Sequence, residues 1–235
     1  MNLDLTKLFE LLKIDPAVAT ENKSVFREAF THRSVDAEYS NERLEFLGDA
    51  VLELVTTEYL YQKFTDKPEG ELTNFRSALV KRENLALVAR KLSLGEYLFM
   101  SKGEDASGGR SKDYLLANVV EAFIGALYLT VGMEKTNDFI ESWIVCELDD
   151  IIAQESYIEP KSALQELTQG DFQVTPQYKT IGEVGLDHEK TFEVAVYLGG
   201  IKVGRGKGSS KKEAQSNAAD VALQNKEKWE NKLED

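Results

Sequence analysis

The hydrophobic period of this chain changes once, near residue 155, and no other feature constrains its fold as tightly. Before that point apolar residues recur every three to four positions, the spacing of amphipathic helices. The spacing predicts helices at roughly 4–13, 22–31, 39–64, 71–80, 83–92, 111–131 and 134–153. The stretch "SKGEDASGGRSKD" (101–113), rich in Gly, Ser and charge, reads as a loop. After "AQESYIEPKS" the pattern differs. A helix over 160–169 is followed by β-branched and aromatic runs separated by glycine-containing turns, "TPQYKTIGEVG", "KTFEVAVYLGG" and "IKVGRGKG". In "TFEVAVYL" the apolar Phe192, Val194 and Val196 alternate with Thr191, Glu193 and Ala195. A final helix opens at Ser209 or Ser210. The expected fold class is an all-α N-terminal domain followed by a small α+β (α-β-β-β-α) domain. The expected boundaries are 1–154, a linker at 155–159, 160–228, and a C-terminal tail at 229–235.

With 235 residues and 42% hydrophobic content, the chain can bury a sizeable core in each of two modest domains. Its one cysteine, Cys146, excludes an internal disulfide and fits a reducing compartment. The opening "MNLDLTKLFELLKIDP" mixes acids and bases through its apolar positions, unlike a signal or transit peptide. No uncharged apolar run approaches the ~20 residues that span a bilayer. A soluble, cytoplasmic protein without a membrane partner is therefore expected.

The net charge of −13 argues on its face against a nucleic-acid partner, but it is unevenly spread. Of the 28 bases and 41 acids, eleven and thirteen follow residue 155, which leaves the first 155 residues at −11 and the remainder at −2. The segment "IKVGRGKGSSKK" (201–212) holds five bases and no acid.

The acids of "NERLEFLGDAVLEL" (41–54) are harder to place. Glu45 and Asp49 stand four residues apart, on one face of a helix whose other positions are apolar, where like charges repel. In "LLANVVEAFIGALYLT" Asn118 and Glu121 are polar intrusions at i, i+3 into another apolar helix. Side by side, the two helices would bring together three carboxylates and an amide oxygen, a donor set suited to a hard cation such as Mg2+ or Mn2+. Solvated acids on ordinary helices are the alternative reading. A carboxylate-bridged di-iron bundle would want Glu-x-x-His motifs, and neither His32 nor His188 stands three residues after a Glu.

"NERLEFLGDAVL" resembles the signature box of the ribonuclease III family, and "LLANVVEAFIGALYL" that family's second catalytic helix. "AFTHRS" (29–34), "EGELTNFRSALV" (69–80) and the "GG" of the 101–113 segment match in order and spacing, and the C-terminal segment is similar to a double-stranded RNA-binding domain. The resemblance implies a homodimeric endoribonuclease specific for double-stranded RNA. It would use Mg2+, with Mn2+ able to substitute and no organic cofactor, and would leave 5′-phosphate and 3′-hydroxyl ends in rRNA and mRNA processing and decay. A metal in such a site lowers the pKa of bound water and stabilises charge on the leaving oxygen. By the same resemblance Glu45, Asp49 and Glu121 are the catalytic carboxylates and metal ligands, with Asn118 completing the ligand set. Glu42 and Glu69 line the cleavage valley, and Phe46 plugs a socket on the partner subunit. Read without the family, Phe46 is an apolar residue suited to the core.

One position departs from the family pattern: Asn118 stands where Asp is usual. The site then holds three negative charges instead of four, which weakens divalent affinity. This motivates a competing expectation, a double-stranded RNA-binding protein whose nuclease site is weakened or silent.

A-form RNA is read by shape, across two minor grooves and the phosphates between them. Gln165 and Glu166 on the first helix of the second domain are candidates for 2′-hydroxyl contacts. The loop "GLDHEK" (185–190), with His188 at its tip, matches the loop that enters a minor groove, although a plain surface turn also accounts for it. Lys207, Ser209, Ser210, Lys211 and Lys212 are expected to form a phosphate site at the start of the last helix. His32 in "THRS" reads as a structural hydrogen-bonding residue, since no Ser or Cys motif pairs with it.

Overall fold

The structure is a computed structural model that describes residues 3–154, 157, 159–185 and 190–233. It divides into two compact units, Met1–Tyr157 and Ile158–Asp235.

The first unit is helical: α1 Thr6–Leu11, α2 Ala17–Glu21, α3 Lys23–Ala29, α4 Glu42–Lys63, α5 Glu69–Val80, α6 Arg82–Lys91, α7 Leu94–Tyr97, α8 Lys102–Ala106, α9 Asp113–Trp143 and α10 Leu148–Ala153. Its axis is α9, whose residues between Leu115 and Leu127 are almost continuously buried because helices cover it on several sides. Phe123 shows how the core closes. Its ring meets those of Phe26, Phe30 and Phe139 at 6.1, 5.8 and 5.5 Å, and Phe9 reaches it from α1 at 6.3 Å. By length and composition this helix could cross a membrane, yet 61% of its apolar stretch is buried inside the protein, the mark of a core helix. The predicted helix at 111–131 proves to be the first part of α9, and the one predicted at 134–153 is divided between the end of α9 and α10, with a 3-10 turn at Val145–Glu147 between them. The backbone between the two predicted pieces continues through Gly132 at φ 78°, ψ 179°, a conformation that only glycine adopts at little cost.

The 101–113 segment is not a loop. Ser101 caps α8 by accepting from the Glu104 amide at 3.3 Å, and a 3-10 turn follows at Gly109–Ser111. Arg110 holds the segment down. Its guanidinium donates to the carbonyls of Gly95 and Leu98 at 2.9 and 2.8 Å and pairs with Asp105 at 2.9 Å. Small, polar residues hid this order from periodicity, because the segment is organised by hydrogen bonds and not by an apolar stripe.

The second unit has the order α11 Pro160–Phe172, β1 Gln177–Val184, β2 Thr191–Leu198, β3 Ile201–Gly208, α12 Lys211–Gln224. The strands form an antiparallel sheet in the order β1-β2-β3, as the period-two alternation predicts. Both helices pack on one face, over Val194, Val196, Leu198 and Val203. β3 approaches α12 so closely that a Cβ at Gly204 or Gly206 would lie 2.2 or 2.3 Å from backbone atoms of Ala218. Alternate glycines on the strand and alanines on the helix permit that contact. Ala195 departs from the expected alternation. Although it faces away from the helices, it is buried, flanked by its strand partners Lys179 and Arg205. The residues expected to form a tail also pack: Trp229 is only 2% exposed, its indole N–H donates to the Ala222 carbonyl at 2.8 Å, and its ring meets Phe172.

Candidate active site

The acidic site is set by a crossing of two bare helix backbones. A Cβ on Gly48 of α4 would lie 1.7 Å from the Glu121 carbonyl oxygen of α9, and one on Gly125 of α9 would lie 2.3 Å from the Leu44 carbonyl oxygen. Glycine at both points lets the helices touch along their main chains, and the residues flanking the contact are forced together. Those residues are Glu45 and Asp49 on one side and Asn118 and Glu121 on the other.

Electrostatics records the convergence. Burial raises the pKa of Glu45 first, the charges of Glu42 and Asp49 raise it further, and hydrogen bonding from the Asn118 amide works in the opposite sense. Glu121 is pushed up to about 7, mainly by burial and then by repulsion from Asp49 and Glu45. Glu45 Oε2 is buried with no hydrogen-bond partner. Among the described residues, no three His, Cys, Asp or Glu side chains are drawn in around one ion-sized point. The four side chains instead form a set of hard oxygen donors, under-neutralised and carrying one orphaned carboxylate oxygen. That is the chemistry a divalent cation would satisfy, so the residues fit such an ion.

A cleft of about 710 Å³ opens beside Glu45 and Asn118, lined also by His32, Arg33, Glu42, Glu104 and Tyr114. Glu42 lies at its side as expected, accepting from Ser40 Oγ at 3.1 Å and standing 3.5 Å from Arg33. Glu69 is elsewhere. It opens α5, accepts from Thr73 Oγ1 at 2.9 Å and lines a separate depression with Tyr61 and Arg76, so one chain does not bring it to the Glu45 cleft. His32 Nδ1 is 2.9 Å from Ser34 Oγ, which accepts from the Ser101 amide at 3.0 Å. This pins α8's approach to the cleft and agrees with a structural reading of His32. Arg33, Glu104 and Tyr114 were not singled out by the sequence, where nothing periodic marks them as neighbours of Glu45.

Phe46 is not a core residue. It is 80% exposed on α4, where Leu54 and Tyr61, further along the same helix, are also exposed, and it borders a groove with Val25, Leu47 and Leu129.

In the second unit Gln165 and Glu166 are exposed on α11, and Lys211 and Lys212 are exposed in the first turn of α12. His188 lies outside the described residues. The serines of the expected phosphate site are engaged in the helix cap. Ser210 Oγ accepts from the Glu213 amide at 3.1 Å, while the Ser209 amide and hydroxyl donate to Glu213 Oε2 at 2.7 and 2.6 Å. Lys211 stands over the Phe192 ring, 3.6 Å from Glu183. Lys207 does not join them. Its strand neighbours Gly206 and Gly208 face α12, so its own side chain projects from the opposite face of the sheet.

A helical body with an acid-lined cleft, followed by a helix–three-strand–helix module that presents lysines, defines a two-part protein built to act on nucleic acid. Comparison with known proteins gives the family. Residues 22–148 match the ribonuclease-III-like family model and residues 160–226 the double-stranded RNA binding motif. A protein named Ribonuclease 3 from a Nitratiruptor species is 45% identical over 208 residues, 86% of this chain and 90% of that one. Ribonuclease 3 of Campylobacter jejuni is 44% identical over 204 residues, 87% and 91% of the two chains. The crystal structure of the nuclease domain of ribonuclease III from Campylobacter jejuni aligns with a TM-score of 0.56 at 40% identity, covering 60% of this chain and 93% of that one. A second structure of that nuclease domain is described by flexibility in its region involved in dimer formation. The chain belongs to the ribonuclease III family.

Proposed function

We propose that this chain is an endoribonuclease that hydrolyses double-stranded RNA with a divalent cation, Mg2+ or Mn2+, as a homodimer. The observation that carries the reading is the Gly48–Gly125 crossing, which gathers Glu45, Asp49, Asn118 and Glu121 and leaves Glu45 Oε2 buried without a partner. Bound there, a divalent cation would supply a water of lowered pKa and stabilisation of charge on a leaving 3′ oxygen, the chemistry that gives 5′-phosphate and 3′-hydroxyl ends. Glu45, Asp49 and Glu121 would hold the ion through their charge. The Asn118 amide orients Glu45, and the ring of acids repels RNA unless a cation is present. The exposed row of Phe46, Leu54 and Tyr61 is where a second copy would cover apolar surface, and the dimer-region description of the Campylobacter jejuni nuclease domain supports that placement. Relatives named Ribonuclease 3 across most of this chain disfavour the competing reading of a binding protein with a silent nuclease domain.

The test is cleavage of long duplex RNA by the full chain with Mg2+, beside Glu121→Ala. Cleavage that needs the metal and falls at least ~1,000-fold in the variant, with duplex binding intact, is the expected result. Binding without cutting by the unaltered chain at any Mg2+ or Mn2+ concentration would refute it.

A further inference from the structure

The face of the second unit's sheet that points away from α11 and α12 carries a charge pattern the proposed function leaves unused. Cross-strand partners share a face, and the register places Lys179 beside Ala195 and Arg205, Glu193 beside Lys207, and Tyr197 beside Lys202. Gly204, Gly206 and Gly208 face α12, which fixes Arg205 and Lys207 on the other side. Four exposed cations, Lys179, Lys202, Arg205 and Lys207, therefore lie on this surface, and Glu193, paired with Arg205, is the one acid among its described strand residues. In a chain of net charge −13 this density of positive charge is local and specific to one face. Lys179 also stands 5.2 Å from the centre of the Tyr197 ring, which holds one cation flat across the sheet.

We infer that this outer sheet face is a second RNA-binding surface, taking the phosphate backbone of a duplex arm other than the one held on the helix side. Two observations choose the occupant. The face is complementary in charge to a polyanion, and it is continuous with the expected duplex-binding edge, since β3 ends at Gly208 and runs through Ser209 and Ser210 into the first turn of α12. Its direction excludes the same arm: a duplex lying across α11 and the start of α12 is on the helix side of the sheet, while Lys202, Arg205 and Lys207 project from the other side. The inference rests on the reading of the second unit as a binder of double-stranded RNA. Its substrates would be branched RNAs, with one arm positioned for cutting and a neighbouring arm held against the sheet.

The experiment measures binding of the full chain, in EDTA to prevent cleavage, to two RNAs: a single duplex of about 16 base pairs, the span of one such domain, and a junction of two such arms. Lys179→Gln, Lys202→Gln and Lys207→Gln are combined, leaving the Arg205–Glu193 pair in place. The triple variant is expected to bind the single duplex within twofold of the parent and the junction about tenfold more weakly. Its salt slope on the junction should fall by about 2 to 3, close to 0.9 per lost phosphate contact. Arginine at the same three positions should restore junction binding. Lys211→Ala with Lys212→Ala should weaken both RNAs. Unchanged junction affinity in the triple variant overturns the proposal, as does an equal loss on both RNAs. A defect confined to binding an acidic protein, with both RNAs bound as before, overturns it in favour of a protein partner. If the parent chain binds neither RNA, the reading of the second unit falls, and this inference with it.

Discussion

The two units bring backbones into contact by the same device and use it for opposite electrostatics. In the first, Gly48 and Gly125 let α4 and α9 touch, and the contact presses acids together in a half-buried cleft. In the second, Gly204 and Gly206 let β3 touch α12, and the contact turns lysines outward into solvent. Burial and mutual repulsion raise the pKa values of Glu45 and Glu121, which need a counter-ion, whereas the exposed lysines stand in water, open to a polyanion. A single protein thus holds one charged region that is costly to keep empty and another that costs little.

The comparison can be broken most directly at Gly48. Its Cβ would strike backbone atoms, which cannot rotate away as a side chain could. Gly48→Ala should destabilise the helical unit by about 3 kcal/mol or more, seen as a large fall in its melting temperature, while duplex binding by the second unit survives. A melting curve within a degree or two of the parent would show that the helices can separate without penalty.

Asn118→Asp sharpens the contrast by adding a fourth charge to the crowded site. In calorimetric titration the Mg2+ dissociation constant should fall about tenfold, or ~1.4 kcal/mol. Without metal the variant should melt below the parent. Tighter metal binding with no loss of metal-free stability would mean that the acids do not repel as described.

A smaller effect comes from pH. Glu121 is raised to about 7 when folded, so the folded state holds a proton the unfolded state releases. The associated stability is full below the ordinary carboxylate range and is lost as pH rises through about 7. In EDTA the first unit should melt at lower temperature at pH 8 than at pH 5, and Mg2+ should remove the difference. Glu213 runs the other way: hydrogen bonds from Ser209 and from the Ser210 amide hold its pKa below the ordinary value. Its cap contributes above the ordinary carboxylate pKa and weakens as pH falls through the lowered value, an effect visible only as slight fraying of α12.

Much of this is legible in the sequence where one residue type repeats at a fixed interval. The long helix α4, the first part of α9, the three strands and the Ser210 cap follow from periodicity and capping chemistry, and Glu45, Asp49 and Glu121 stand out because acids interrupt apolar stripes. The obscured features depend on partners distant in sequence. Arg110 organises its segment through carbonyls more than ten residues away. Lys207 stands near Lys211 in the chain, and only the glycines beside it reveal that its strand turns it to the other face. Trp229 reads from the sequence as the start of a tail because a lone aromatic has no period. Glu69 reads as a neighbour of the valley by family likeness, while its own chain places it in a different depression.

The main-chain contact at Gly48 and Gly125 also bears on how activity is lost with heat. No flexible side chain lies between the helices at this point, so the backbone positions that carry the acids stay fixed relative to one another while the surrounding core persists. Inactivation should therefore be abrupt and coincide with melting of the whole helical body, without a warm, folded and sluggish form preceding it.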